Sequence, residues 1–171
     1  MEKQTVKIVN ILRESSDAWT YLLERPADAE WAEGAHLHVA LVGYDAGEVP
    51  DKTQVRHLSV STLPEEGFMG FTTRIPASPS LFKQQLSQLR RGDELVVFKL
   101  GSRMALRRQG KPIILLSMGV GLATMRPLIL RYLEDPTGIP SLTSLNVSTE
   151  RVNPGAREPW RTVRPRGTLS W

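Results

Sequence analysis

The chain has no cysteine among its 171 residues. That excludes a disulfide, a cysteine-ligated iron–sulfur cluster and a thiol nucleophile. Histidine is nearly as scarce, with only His36, His38 and His57. His36 and His38 alternate with Leu37, Val39 and Leu41, which puts the histidines on the solvent face of a strand rather than in a metal site. No stretch approaches the ~18 consecutive apolar residues that a spanning helix needs, so membrane insertion is not expected. Met1-Glu2-Lys3-Gln4 leads directly into a strand-like pattern without a secretory leader, and a cytoplasmic protein is the expectation.

Aromatic residues are also few, at 6%, and this bears on the charge. A net charge of +4 and a pI near 9.7 would ordinarily raise nucleic acid as a partner. Five arginines (Arg151, Arg157, Arg161, Arg164 and Arg166) stand after residue 149 against only Glu150 and Glu158. The rest of the chain is close to neutral, and aromatics for stacking bases are scarce. No nucleic-acid partner is expected.

What the chain has in quantity is short apolar alternation. TVKIVNILR, AWTYLLERP (Trp19, Tyr21 and Leu23 on one face), AHLHVALVG, VRHLSVSTL, FMGFTTRI and ELVVFKL read as strands separated by Gly, Pro and Asp turns. Such a series predicts a closed, six-stranded antiparallel β-barrel over residues 1–108. One short amphipathic helix, SPSLFKQQLSQL, interrupts it, with Phe82, Leu86 and Leu89 at helical spacing.

From residue 109 to 149 the pattern becomes strand, helix, strand: PIILLS, LATMRPLILRYLED and SLTSLNV. Ile113 to Leu116 are uninterruptedly apolar, as in a parallel strand covered on both faces. Met125, Leu128, Ile129, Tyr132 and Leu133 form one helix face, and Asp135 to Pro140 stops that helix. Between strand and helix, Gly119 and Gly121 leave a turn without side chains. A helix start approached this closely suits a phosphate or a cofactor ring; the same glycines would equally let helix and strand pack. Residues 150–171 show no periodicity and read as an irregular basic tail.

Three segments carry chemistry: Arg56-His57-Leu58-Ser59, then Ser78-Pro79-Ser80-Leu81-Phe82-Lys83, then the Ser117–Pro127 turn. Together with EWAEGAHLHVAL and LRRGDELVVF, and in this order, they resemble the ferredoxin–NADP reductase superfamily of flavin-dependent oxidoreductases. The resemblance covers about residues 5–149. It implies a flavin-binding barrel followed by a C-terminally shortened βαβ nucleotide-binding unit. In that family an R-x-Y-S/T strand and a Ser or Thr opening a helix bind the flavin, and a G-G-x-G-x-x-P turn begins the nucleotide-binding part.

By this resemblance Arg56 contacts the flavin diphosphate, Ser59 lies near the flavin N5, and His57 completes the motif. Leu58 replaces the family's stacking tyrosine. Ser80 and Lys83 bind the diphosphate, with Ser80 otherwise a plain helix cap, and Arg56 otherwise an exposed strand arginine. Thr73 and Arg74 line the ribityl and diphosphate. Gly119, Gly121 and Thr124 face the nicotinamide, with Met118, Val120 and Thr124 departing from the family pattern. Thr149 and Arg151 stand where the family binds the adenosine phosphate.

The implied cofactor is FAD in preference to FMN, with NADH or NADPH as the dinucleotide donor and a redox protein as the acceptor partner. An alternative is a flavin-binding or interaction module without a complete nucleotide site. No acid–base catalytic group is expected, because the hydride chemistry would be the flavin's. A lone βαβ unit would leave a sheet edge unpaired and apolar surface uncovered. A homodimer is therefore a further expectation.

Overall fold

The structure, a computed structural model, describes residues 1–147. The expected basic tail, with Thr149 and Arg151, lies outside the described residues. Alternating side chains build six antiparallel strands: β1 (Gln4–Arg13), β2 (Ala18–Glu24), β3 (Ala35–Leu41), β4 (Val55–Ser59), β5 (Phe68–Arg74) and β6 (Glu94–Ser102). They pair in the order β4-β3-β6-β1-β2-β5. Leu37 and Val39 of β3, Leu95 and Val97 of β6, and Leu23 of β2 point inward and are fully buried, as the period-2 pattern requires.

The sheet rolls up around Tyr21 and Phe71, whose rings stack with centroids 5.3 Å apart. A short helix, α1 (Leu81–Leu86), packs against this core through Phe82 and Leu86. The Tyr21 hydroxyl donates to the Leu86 carbonyl at 3.2 Å, and burial pushes its pKa up to about 12. Helix α1 is shorter than the sequence pattern suggests. After Leu86 the chain tightens into i→i+3 bonds, Gln88 to Gln85 and Leu89 to Leu86, while the Ser87 hydroxyl bonds the Gln84 carbonyl. A serine that bonds back to the preceding turn in this way competes with helix continuation.

The expected closure is incomplete. The outer strands β4 and β5 meet at a single bridge, Val60 to Phe71, and through the Ser61 N–H bonding the Gly70 carbonyl at 2.8 Å. The sheet is barrel-like with a seam, because the chain leaves β4 into a 3-10 turn at Pro64–Glu66 before it can pair further.

His36 and His38 are half-buried rather than solvent-facing. His38 stands opposite His57 in register, with ring centroids 3.7 Å apart, and its ring lies 5.0 Å from Phe98. A small second cluster on this outer face, Ala40, Tyr44 and Val96 with Phe98 and Val55, provides the cover.

Strands β7 (Ile113–Met118) and β8 (Leu142–Val147) form a separate parallel pair joined by helix α2 (Leu122–Glu134). Leu128 of α2, supported by Met125, Ile129 and Tyr132, covers Leu115 and Leu142. The helix continues through the buried Pro127, which lacks the N–H that would bond the Ala123 carbonyl. The expectation that β7 is covered on both faces fails. Ile114, Leu116 and Met118 are 65%, 68% and 75% exposed, as are Leu145 and Val147 at 52% and 65%. Successive strand residues face opposite ways, and one helix covers one face only. Among the described residues no helix is long and apolar enough to cross a membrane.

Candidate functional site

Asp51 organises the approach to β4. Its carboxylate accepts from the Thr53 N–H at 2.9 Å and from the Gln54 amide at 2.8 Å, closing a 3-10 turn over Lys52–Gln54. The strand that follows presents Arg56 along the core-side face that it shares with Leu58. The Arg56 guanidinium is held from several directions. Nη1 donates to the Thr53 and Val55 carbonyls at 2.9 and 2.7 Å, and Nη2 donates to the Ser80 Oγ at 3.0 Å. Its plane also lies over the Phe82 ring, 5.3 Å from the centroid, an arrangement suited to a guanidinium.

Ser80 immediately precedes α1, yet its hydroxyl makes no cap bond to the helix; it faces Arg56 instead. Lys83 stands one turn further along and is half-buried. Its pKa is lowered, first by burial and then by the positive charges of Arg56 and Arg74. Arg74, at the end of β5, is paired with Asp17, its Nε donating at 2.7 Å, and the pair holds the Asp17 carboxyl below the usual carboxylate range. Arg56 is bonded to Ser80, Arg74 is paired with Asp17, and Lys83 lies within electrostatic reach of both arginines. Such a set of convergent donors matches a polyanion with several acceptor oxygens, such as a diphosphate.

The remaining candidates are distributed unevenly. Leu58 is half-buried against the barrel core. Ser59 is half-buried opposite His36, on the outer sheet face it shares with the exposed His57, whose ring lies tilted against His38. Thr73 is buried at 5% exposure, opposite Trp19. Gly119, Gly121 and Thr124 belong to the second unit, whose glycine turn approaches β5. Gly119 has φ of +52°, with nothing within 4 Å of where a Cβ would stand. A Cβ on Gly121 would make an ordinary 3.7 Å contact with Ser117, so helix–strand packing does not require glycine there. Thr124 is half-buried in the first turn of α2.

The sequence matches no protein-family model and no curated protein. Solved structures are similar in fold. Phthalate dioxygenase reductase, described as a modular structure for electron transfer from pyridine nucleotides to [2Fe-2S], is 18% identical with a TM-score of 0.67; the match covers 86% of this chain and 44% of that one. The chain has the fold of ferredoxin–NADP reductase-like FAD- and NAD-binding domains. The same reductase fold recurs in the flavohem-like FAD/NAD-binding domain of nitric oxide dioxygenase from Vibrio cholerae, at 16% identity and a TM-score of 0.69, covering 86% and 63% of the two chains. It recurs again in a ferredoxin NADP+ reductase from Neisseria gonorrhoeae with bound FAD and NADP, at 14% identity and 0.68, covering 85% and 57%. The chain thus spans less than two thirds of the length of each of these reductase chains.

Two features of the site escaped the sequence. Asp17 sits in a turn with no motif around it and reaches Arg74 only because β2 and β5 pair. Arg126 and Arg131 of α2 reach glutamates on the barrel side. Arg126 engages Glu66, and Arg131 bonds Glu65 at 3.0 Å. Nothing local in ATMRPLILRYL marks them as more than surface charges.

Proposed function

We propose that this chain is a flavin-dependent oxidoreductase of the ferredoxin–NADP reductase type, binding FAD in the barrel and moving electrons between NADH or NADPH and a redox acceptor in the cytoplasm. The observation that carries the reading is the grouping of Lys83 with Arg56, which bonds Ser80, and with Arg74, which bonds Asp17. Like charges brought together repel unless an anion joins them. Burial is the main cause of the lowered Lys83 pKa, the two arginines add to it, and a flavin diphosphate would relieve their repulsion.

When bound, the flavin accepts a hydride and releases electrons singly or in pairs. The chain's own part is binding and orientation. Arg56 and Lys83 neutralise the diphosphate, with Ser80 offering a hydroxyl to its oxygens. Leu58 would pack on the flavin ring where the family stacks a tyrosine, and Ser59 would supply a hydroxyl near its N5. Open space at Gly119 admits the nicotinamide, with Gly121 and Thr124 beside it.

Titrating the purified protein with FAD and with FMN tests the reading. We expect FAD to bind and Arg56→Ala to weaken it by roughly 1.5–3 kcal/mol, the worth of hydrogen bonds to a charged group. No binding of either flavin at micromolar protein overturns it.

A second reading, a flavin-binding module without nucleotide turnover, is favoured by the bare outer face of β7 and β8. Anaerobic mixing of flavin-loaded protein with NADH or NADPH separates the two. Loss of flavin absorbance supports the oxidoreductase, and persistent yellow colour supports the module.

A further inference from the structure

Two guanidiniums of α2 reach from the second unit to the barrel side, and Arg126 makes the tighter contact. Arg126 projects from α2, five residues beyond Gly121, and grips Glu66 with both of its terminal nitrogens. Nη1 bonds Oε1 and Nη2 bonds Oε2, each at 2.8 Å. Nη1 also donates to the Ser61 carbonyl at 3.0 Å. The Arg126 side chain is only 19% exposed and that of Glu66 31%, so solvent screens this pair less than a surface one.

Both partners belong to the stretch of chain that leaves β4. Ser61 lies two residues past Ser59, is 1% exposed, and is pinned to β5 by its N–H on the Gly70 carbonyl. The Glu66 Oε1 also accepts the Leu63 N–H at 2.7 Å, so the carboxylate is fixed by the very turn it closes. Arg126 therefore ties the first turns of α2 to the exit of the flavin-motif strand through three hydrogen bonds with defined directions. Arg131, further along α2, adds ties to the 61%-exposed Glu65 at 3.0 Å and to the 12%-exposed Glu33 at 3.8 Å. A planar fork can satisfy a carboxylate and a carbonyl together, which an ammonium cannot do with the same geometry.

We infer that Arg126 is a positioning residue: by clamping Glu66 and the Ser61 carbonyl it sets how closely the Gly119–Gly121 turn is presented to the end of β4 and the Val60–Ser61 segment that follows it, and so how closely a nicotinamide approaches the flavin. The kinetic part of this inference rests on the flavin reading above; the clamp itself does not.

The experiment has two arms, using Arg126→Gln, Arg126→Lys and Glu66→Gln, each first checked for wild-type circular dichroism. The first arm needs no flavin. Because the chain has no cysteine, cysteines placed at the exposed positions Gln88 and Thr143 can carry nitroxide labels, and pulsed electron spin resonance reads the distance between barrel and unit. We expect one narrow distribution in the parent protein and a broad one in every variant, with Arg126→Lys no better than Arg126→Gln. A distribution that stays narrow overturns the clamp.

The second arm measures FAD affinity and the rate of flavin reduction by saturating NADH or NADPH. Affinity should be unchanged while the rate falls on the order of 10- to 100-fold, the cost of a misplaced reacting pair. An unchanged rate beside a broadened distribution overturns the positioning role. If the parent protein binds no flavin, the flavin reading fails on its own account, and the label distances alone decide the clamp.

Discussion

The barrel is built from strands that alternate apolar and polar residues and β7 from a nearly continuous apolar run, yet the apolar residues end in opposite conditions. In the barrel, β3 runs between β4 and β6 and its inward residues Leu37 and Val39 are wholly buried. In the unit, among the described residues, β7 has one strand neighbour and one helix above it. Ile114 and Leu116 lie in water while Leu115 between them is 7% exposed. Burial of an apolar residue depends less on its own character than on how many layers the fold places around it. A rolled sheet encloses one face of every strand, whereas an open pair needs a separate layer for each face. The glycines show the same contrast. Gly34 of the barrel domain and Gly119 of the unit both have positive φ, but a Cβ on Gly34 would lie 2.6–2.9 Å from Met104, including its backbone, while one on Gly119 meets nothing.

Removing the centre of the barrel should have the largest effect. Phe71→Ala should cost about 3–5 kcal/mol, as other large aromatic deletions in closed cores do; chemical denaturation measures it. A loss below about 1 kcal/mol would mean that the barrel core is far looser than its burial implies.

The two glycines come next. Gly119→Ala should cost about 1–2 kcal/mol, the strain of a left-handed residue with a side chain. Gly34→Ala should cost clearly more, because the same strain is joined by a clash with the Met104 backbone that no rotamer can relieve. Equal losses in parallel denaturant melts would show that Met104 moves aside and that this crossing is not tight.

Smaller still is the bare face. Leu116→Gln should change stability by no more than about 0.5 kcal/mol, the range for exposed positions, and should reduce self-association seen by light scattering. A loss approaching that of a buried leucine would reveal that something covers this face in solution.

The last effect is one of pH. The His38 pKa is lowered, first by burial and then by the charges of His57, Lys99 and His36. A histidine that binds its proton less readily when folded stabilises the protein fully above its unfolded pKa, about 6.5. That contribution is lost as pH falls through the lower folded value. The melting temperature should therefore decline from about pH 6.5 downward, before the paired carboxylates such as Asp17 titrate, and His38→Gln should flatten this part of the curve. A parallel decline in both proteins would place its origin elsewhere.

Much of this architecture was legible beforehand. The alternation of Leu37, Val39 and Leu41 marks β3, and the spacing of Met125, Leu128, Ile129 and Tyr132 marks the face that α2 buries. Arg56 and Ser80 were legible as candidates because their segments carry motif-like order. That the two bond each other across 24 residues of sequence was not, nor was the convergence of Lys83 and Arg74 with them. The His38–His57 stack was missed because period-2 reasoning assigns a residue to a face without saying whether that face is wet.

The local elements follow from the amino-acid order alone: where strands alternate, where α2 turns its apolar side, and where glycine frees the Gly119 turn. Those properties depend on neighbours within a few residues, through side-chain period and backbone sterics. Only the tertiary structure decided that the barrel keeps a seam between β4 and β5, that one face of β7 stays bare, and that Arg126 reaches across to Glu66. Each of these depends on which distant segments meet, and local periodicity holds no record of that choice.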